Sequence, residues 1–247
     1  VLSSATGAGS QAFSFAEHQE QETGLHTVDT VDSIAAGITI HMFNYPDRNT
    51  ISSVTGNNDY SVTVLQPSHV KSTLNADGYP VFTNNKSGAA LFDPSNSYHQ
   101  GTGNHLFLES VYDSTGYYEY SAFNNFAHYS NGNFTVYEET GTPSPTSNNF
   151  YFKRGNFFPY NELDTTNTAQ NIYTGSGNII DYENPNYGST LYGLKGSTDY
   201  YFGMTMEFNF LMPKDGYDKG SPLIYEFNGD DYLWIYIDGV LILDIIV

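Results

Sequence analysis

The chain has 247 residues, with 27 Asp and Glu against 8 Lys and Arg, which gives a formal net charge of −19. This acidity, without any run of Lys or Arg, argues against a nucleic-acid partner or an anionic membrane surface. Cysteine is absent, which excludes disulfides, thiolate zinc sites and cysteine nucleophiles. Aromatic residues make up 16% of the chain, and with many Gly and Asn they favour strands and turns, so we expect a mostly β protein.

The composition divides the chain into three parts. Residues 1–32 are rich in Ser, Gly, Thr and acids, which is typical of a leader or linker. A β-rich N-terminal region follows over residues 33–145 and closes at a Pro/Ser/Thr-rich loop. Residues 146–247 form the last predicted domain.

Alternation of apolar and polar residues predicts strands in both regions. The strand at 37–43 places Ile38, Ile40 and Met42 on one buried face. A later strand at 204–210 carries an apolar face, which consists of Met204, Met206, Phe208 and Phe210. Further short strands are predicted at residues 105–112, 117–120, 134–137 and 223–227.

The clearest element is a hairpin that turns at Asp238-Gly239, the dipeptide most typical of a two-residue type I′ turn. Such a turn would pair Ile237 with Val240, Ile235 with Ile242 and Leu233 with Asp244. Both faces are apolar, which predicts a central position between layers.

This register also predicts that two carboxylates share a face. Asp231 and Asp244 would be diagonal neighbours within reach of one cation. The prediction depends on a regular turn, because a slip of one residue moves every side chain to the other face.

The C-terminal residues resemble a known family. The run from Tyr200 to Phe208, the run from Met212 to Gly216 and above all the run from Ile224 to Asp244 are similar to the fibro-slime domain of Firmicutes surface proteins. The residues Phe227-Asn228-Gly229-Asp230-Asp231-Tyr232-Leu233-Trp234 and Ile237-Asp238-Gly239 carry its signature. Weaker likeness extends back to about residue 36.

The resemblance implies a cell-wall-anchored, secreted protein that serves attachment. It also implies an antiparallel β-sandwich related to PA14 lectin-like domains, in which calcium at adjacent Asp residues holds sugar hydroxyls. Asp230 and Asp231 are the matching positions. The family continues after Leu-Asp with Gly-Gly and His, whereas this chain has Ile245-Ile246-Val247. Either the domain continues beyond residue 247 or the last strand pairs differently.

The residues themselves leave two interpretations of the acidic turn. Asn228, Asp230, Asp231 and Asp244 supply the hard oxygen ligands that calcium prefers. Alternatively, Gly-Asp-Asp forms a tight turn in which the Asp side chains accept hydrogen bonds from backbone donors.

The aromatic residues of the hairpin also allow two interpretations. Tyr232, Trp234 and Tyr236 alternate on one strand face and would form a stacking platform for sugar rings, or else they are core residues of a central hairpin. Loop tyrosines such as Tyr182 and Tyr187 are alternative contact residues, because Tyr offers a large area at low entropic cost.

No motif of an enzyme is present: the chain lacks Gly-x-Ser-x-Gly, His-Glu-x-x-His and a P-loop. Together with the resemblance to the fibro-slime domain, this implies a non-catalytic adhesin module on the bacterial cell surface that binds host or environmental glycans with the help of calcium. A metal-independent adhesin for a host glycoprotein and a structural spacer are the alternatives.

Overall fold

A computed structural model describes residues 24–56, 68–120, 125–140, 157–164, 193–194, 199–218, 220–227 and 232–246. The predicted linker at 1–32 lies mostly outside these residues, and the predicted domain boundary near residue 145 lies entirely outside them. That division stays a prediction.

The chain is mostly β, as predicted, and its strands form several small sheets. Residues 24–140 contain β1 (Gly24–Thr27), β2 (Thr30–Val31), β3 (Ile38–Asn44), β4 (His99–Gly103), β5 (Phe107–Leu108), β6 (Asn125–Ser130) and β7 (Asn133–Thr140). Residues 163–246 contain β8 (Leu163–Asp164), β9 (Gly193–Leu194), β10 (Phe202–Phe208), β11 (Tyr217–Asp218), β12 (Ser221–Pro222), β13 (Tyr232–Ile237) and β14 (Val240–Ile246). The helices are α1 (Arg48–Thr55), α2 (Ala89–Phe92) and α3 (Glu109–Thr115).

Among the described residues, two sheets have three strands, in the orders β1-β7-β6 and β10-β3-β4. In the first sheet both pairings are antiparallel, with Gly24 opposite Thr140 and Asn125 opposite Glu138. The remaining strands form two-stranded antiparallel pairs, which are β2-β5, β8-β9, β11-β12 and β13-β14.

The contacts divide the chain into two compact units. The hairpin unit comprises the described residues of Phe43–His99 and Gly203–Val247. The β6–β7 unit comprises the described residues of Ala12–Met42 and Gln100–Phe202.

The predicted apolar face of β3 forms part of the core of the β6–β7 unit. Ile38, Ile40 and Met42 are all buried, which confirms the alternation. Ser33 is also buried, and its hydroxyl donates a hydrogen bond to the carbonyl of Gly103 over 3.2 Å. That bond satisfies a polar group which burial would otherwise leave unpaired.

The core of the hairpin unit is a cluster of buried side chains, which are Phe43, Tyr45, Val70, Phe82 and Leu91. Helix α1 packs near it through Ile51 and Val54. The carboxylate of Asp47 caps this helix by accepting a hydrogen bond from Thr50 N over 2.8 Å, and Gly56 closes it in the left-handed conformation.

Several strand predictions were wrong. The segment 105–112 contains only the short β5 and then turns into α3, because Glu109 lies in the first helical turn and Gly116 ends the helix at φ 80°. Residues 117–120 and 223–227 are not strands. The strand β10 ends at Phe208, so Phe210 lies outside it, and both of these rings of the predicted apolar face are exposed.

Candidate functional sites

The predicted turn of the C-terminal hairpin is confirmed. Asp238 has φ 50° and Gly239 has φ 76°, the two positive values that a type I′ turn requires. Ile237 lies opposite Val240 and Tyr236 opposite Leu241. The type I′ turn at Asp238-Gly239 therefore sets the two residue pairs next to it.

Beyond these pairs a β-bulge shifts the register between Ile235 and Tyr236. The predicted partners of Ile235 and Leu233 were wrong: they pair with Leu243 and Ile245. Ile242 is the additional residue on β14, and such a bulge moves all later side chains by one position.

The bulge brings Asp244 opposite Trp234. The indole Nε1 of Trp234 donates a hydrogen bond to Asp244 Oδ1 over 3.1 Å. Asp244 Oδ2 accepts two more, from the backbone N–H groups of His69 at 2.7 Å and Val70 at 3.2 Å. The Asp244 carboxylate thus joins the tryptophan to Val70, which lies 174 residues before Asp244 in the sequence.

That segment continues along the edge of β14. Leu241 N donates to Ser72 O over 2.8 Å, and Leu74 N donates to Gly239 O over 3.0 Å. The hydroxyl of Tyr236 donates to Lys71 O over 3.2 Å. Asp244 therefore belongs to a network that binds residues 69–74 to the hairpin.

The ring of Trp234 is packed on the same side. It meets Phe82 edge-on at a centroid distance of 5.4 Å and Phe92 at 6.3 Å. Trp234, Tyr236 and Leu241 are half-buried against the core cluster of the unit. These contacts are the ones expected if the aromatic residues of the hairpin are core residues. The sugar-stacking role of Tyr232, Trp234 and Tyr236 stays a prediction.

The other side of the hairpin is less covered than its apolar sequence predicts. Val240 and Ile242 are each nearly half exposed.

The hydroxyl of Tyr236 has a raised pKa. Burial and the nearby charge of Asp244 raise this pKa to about 12. This phenol stays neutral and keeps donating its hydrogen bond up to strongly alkaline pH.

The predicted calcium ligands Asn228, Asp230 and Asp231 lie outside the described residues, as do Tyr182 and Tyr187. Only Asp244 of the predicted set is described. The register that placed it beside Asp231 is wrong, because the bulge puts Asp244 opposite Trp234. Within the described ranges no three His, Asp or Glu side chains form a group that could hold a metal. The calcium site stays a prediction.

A second aromatic-rich region follows β10, and the sequence did not predict it as a site. It is a group of exposed apolar side chains that we call the exposed aromatic surface: Phe208, Phe210, Leu211, Met212, Tyr217, Ile224 and Phe227. Leu211 is 92% exposed and Met212 is 56% exposed, values far above those of a residue that contributes to a core. The predicted strand over 204–210 ends at Phe208, and the last two rings of its apolar face, those of Phe208 and Phe210, are exposed.

The two ends of the segment that carries this surface, residues 208–227, meet at one pair of rings. The rings of Phe208 and Tyr225 are stacked at a centroid distance of 6.3 Å and an angle of 25°, and Phe210 lies 6.1 Å from Phe208. Between them the chain forms the β11-β12 pair, and Leu223 N donates to Gly216 O over 2.9 Å. Burial raises the pKa of the Tyr225 hydroxyl, which is consistent with apolar surroundings.

Charged side chains lie along the same segment. Asp215 and Glu226 are exposed, and Glu226 lies in the chain between Tyr225 and Phe227. Lys214 is exposed next to Asp215. Acidic residues thus alternate in the sequence with the residues of the exposed aromatic surface. The one sequence signal of this surface was the Pro/Gly-rich stretch 212–222, which is unfavourable for a continuing strand.

Comparisons with known protein families, with curated proteins and with solved structures give no match to this chain. None of the helices in the described part of the chain is long and apolar enough to cross a membrane. The functional argument therefore depends on the geometry of the two aromatic regions.

Proposed function

We propose that this chain is a non-catalytic protein-binding module of a bacterial cell-surface protein, and that the exposed aromatic surface is its binding site. The observation that carries the proposal is the exposure of Leu211 and Met212, which follow closely in the sequence on Phe208, whose ring stacks on Tyr225. Exposed apolar groups of this kind are typical of interaction sites.

The side-chain chemistry favours a protein over a sugar. Sugar sites combine aromatic faces with several polar groups that bind hydroxyls. Leu211, Met212 and Ile224 offer no such groups, whereas aromatic residues and Met are enriched at protein interfaces. Trp234 supports the same choice, because its ring already contacts Phe82 and Phe92.

The cellular context comes from the resemblance to the fibro-slime domain. Under this proposal the small antiparallel sheets belong to a PA14-like β-sandwich, and the parent protein is attached to the cell wall of a Firmicutes bacterium. Calcium-assisted glycan binding at Asp230 and Asp231 is the second candidate, and it would operate at a different place in the chain.

The test is an array of purified extracellular-matrix proteins, host glycoproteins before and after deglycosylation, and free glycans. It is probed with the chain in calcium and in EDTA. We expect binding to proteins that survives EDTA and deglycosylation, because an apolar interface needs neither metal nor sugar. The double substitution Leu211→Ser with Met212→Ser should abolish it.

Ile34→Ser is the control variant, because Ile34 is an exposed apolar residue of the other unit. Binding to defined glycans that vanishes in EDTA and in Asp231→Ala would overturn the proposal in favour of the calcium-assisted lectin. Silence on every spot would favour a structural spacer.

A further inference from the structure

Two tyrosine rings lie face to face at the end of α3. The centroids of the Tyr112 and Tyr118 rings are 4.3 Å apart, and the two ring planes differ by 11°. Tyr112 is 42% exposed and Tyr118 is half-buried, so a reagent in solution can reach the pair. Burial, the nearby Tyr112 and a hydrogen bond between the two side chains raise the pKa of the Tyr118 hydroxyl. The two hydroxyls therefore lie at the same end of the stack.

The fold holds this pair in place. Gly116 ends α3 in the left-handed conformation at φ 80°, which turns the chain back towards the helix. The returning segment is fixed where Leu108 N donates a hydrogen bond to Glu119 O over 3.0 Å. The ring of Tyr118 also contacts Phe107 at a centroid distance of 5.7 Å. The stack therefore depends on the folded chain.

Stacked phenols have the geometry for oxidative coupling. A one-electron oxidant takes an electron and the phenolic proton from each tyrosine, and the unpaired electron of each phenoxyl radical extends onto the ring carbons beside the oxygen. The p orbitals of these carbons point along the stacking direction, and carbon atoms in contact are separated by about 3.5–4 Å. Alignment and proximity of this kind favour bond formation.

The coupling step balances with one molecule of hydrogen peroxide. A C–C bond forms between one such carbon of each ring, and the hydrogen on each joined carbon then moves to its phenolic oxygen, which restores both phenols. Two protons and two electrons have left the protein. A peroxidase passes them to hydrogen peroxide, which becomes two molecules of water.

Other tyrosine pairs in the described part of the chain meet edge-on. The rings of Tyr45 and Tyr98 are 5.4 Å apart at an angle of 68°. Those of Tyr129 and Tyr160 are 5.9 Å apart at an angle of 76°. Tyr45 and Tyr129 are also buried, which keeps an oxidant away from them.

We propose that Tyr112 and Tyr118 are a modification site, at which a peroxidase with hydrogen peroxide joins the two rings as dityrosine. The chain has 22 Tyr and no Cys, so its composition allows a tyrosine cross-link where it allows no disulfide. Both residues belong to the β6–β7 unit, whereas the exposed aromatic surface belongs to the hairpin unit. This inference therefore does not depend on the proposed function.

The test treats the whole chain, at low concentration, with a haem peroxidase and limiting hydrogen peroxide. We expect the blue fluorescence of dityrosine and a monomer whose mass has fallen by two hydrogen atoms. A protease that cleaves before Asp113 cuts between the two tyrosines. The two peptides that this cut produces should remain joined, with Tyr112 and Tyr118 as the linked residues in tandem mass spectra.

Three variants locate the bond. Tyr112→Phe and Tyr118→Phe each keep a ring in the stack but cannot form a phenoxyl radical there, so each should lose the joined peptides. Tyr117→Phe is the matched control, because Tyr117 is a 50% exposed tyrosine next to Tyr118 in the sequence. It should leave the yield of joined peptides unchanged.

A comparison with the unfolded chain shows whether the fold selects the pair. A photochemical one-electron oxidant is used here for the native chain and for the chain in urea, because urea would also inhibit the peroxidase. We expect the yield of the Tyr112–Tyr118 link to fall in urea. Three results would overturn the inference: separate peptides from the oxidised wild type, joined peptides that persist in Tyr112→Phe, and equal yields of the link with and without urea.

Discussion

Two parts of the hairpin unit, the β13-β14 hairpin and the exposed aromatic surface, are both rich in aromatic residues. The rings of the first are packed against the core, and many of those of the second are exposed. On the hairpin, Trp234 and Tyr236 are held by ring contacts and by hydrogen bonds to Asp244 and Lys71. On the exposed aromatic surface, Phe208 contacts the rings of Phe210 and of the neighbouring Tyr225, and Leu211 extends almost fully into solvent. Aromatic composition alone therefore does not distinguish a binding surface from a core.

The difference lies in the polar groups that accompany the rings. Asp244 accepts three hydrogen bonds at 2.7 to 3.2 Å, so its carboxylate stabilises the fold. Glu226 is exposed, and Asp215, which is also exposed, accepts one hydrogen bond from Tyr217 N over 3.1 Å. Substitutions that separate stability from binding can test this contrast.

The largest effect should come from Asp244→Ala. The substitution removes the acceptor of three hydrogen bonds and leaves the indole N–H and two backbone N–H groups without a partner, at a cost of about 3 kcal/mol in the free energy of unfolding. Urea denaturation followed by circular dichroism measures this loss. Asp244→Asn keeps one acceptor oxygen and should lose about half as much.

Glu226→Gln is the control for Asp244→Ala, because it neutralises a carboxylate of the exposed surface and should leave the free energy of unfolding unchanged. A loss below about 1 kcal/mol for Asp244→Ala would contradict the structural role of the carboxylate. It would also return Asp244 to the set of free calcium ligands.

A smaller effect, with a characteristic pH dependence, is expected for Tyr236→Phe. At neutral pH the variant loses only the hydrogen bond to Lys71 O, about 1 kcal/mol. The pKa of Tyr236 rises from its ordinary 10.0 to about 12 on folding, so the contribution of this phenol is intact below pH 10. It is lost as the pH rises from 10 towards 12, because the unfolded chain ionises first.

Tyr236→Phe should therefore flatten the fall in stability between pH 10 and pH 12, measured by urea denaturation at each pH. Tyr217→Phe, a change at an exposed ring, serves as the comparison. Parallel curves for the wild type and Tyr236→Phe would show that the phenol is accessible to water.

The smallest effect on stability should come from the double substitution Leu211→Ser with Met212→Ser. Neither side chain is covered by its own unit, so we expect the free energy of unfolding to change by less than about 0.5 kcal/mol. Urea denaturation gives the value. A loss above 2 kcal/mol would mean that these residues stabilise the fold, and the loss of binding on the array could then not be assigned to a contact.

Local signals in the sequence predicted the local parts of the fold. The alternation at Ile38, Ile40 and Met42 gave the correct buried face, and Asp238-Gly239 gave the correct turn. The same kind of signal at Asp47 and Gly56 marks the ends of α1, a helix that the strand-based interpretation missed.

The rest depended on contacts between distant residues. Nothing in the sequence of β14 marks Ile242 as the residue that bulges, and the donors that hold Asp244 come from His69 and Val70. The exposed aromatic surface was missed for a related reason. The alternation of Met204, Met206, Phe208 and Phe210 is the same whether or not another part of the chain covers the last two rings.

The position of Trp234 has one more consequence, for spectroscopy. It is the single tryptophan of the chain, and it lies in the hairpin unit against the core cluster. Its fluorescence therefore reports the melting of that unit, while far-ultraviolet circular dichroism reports strands of both units. Coincident midpoints from the two probes would define one cooperative transition, and separated midpoints would assign a stability to each unit without any labelling.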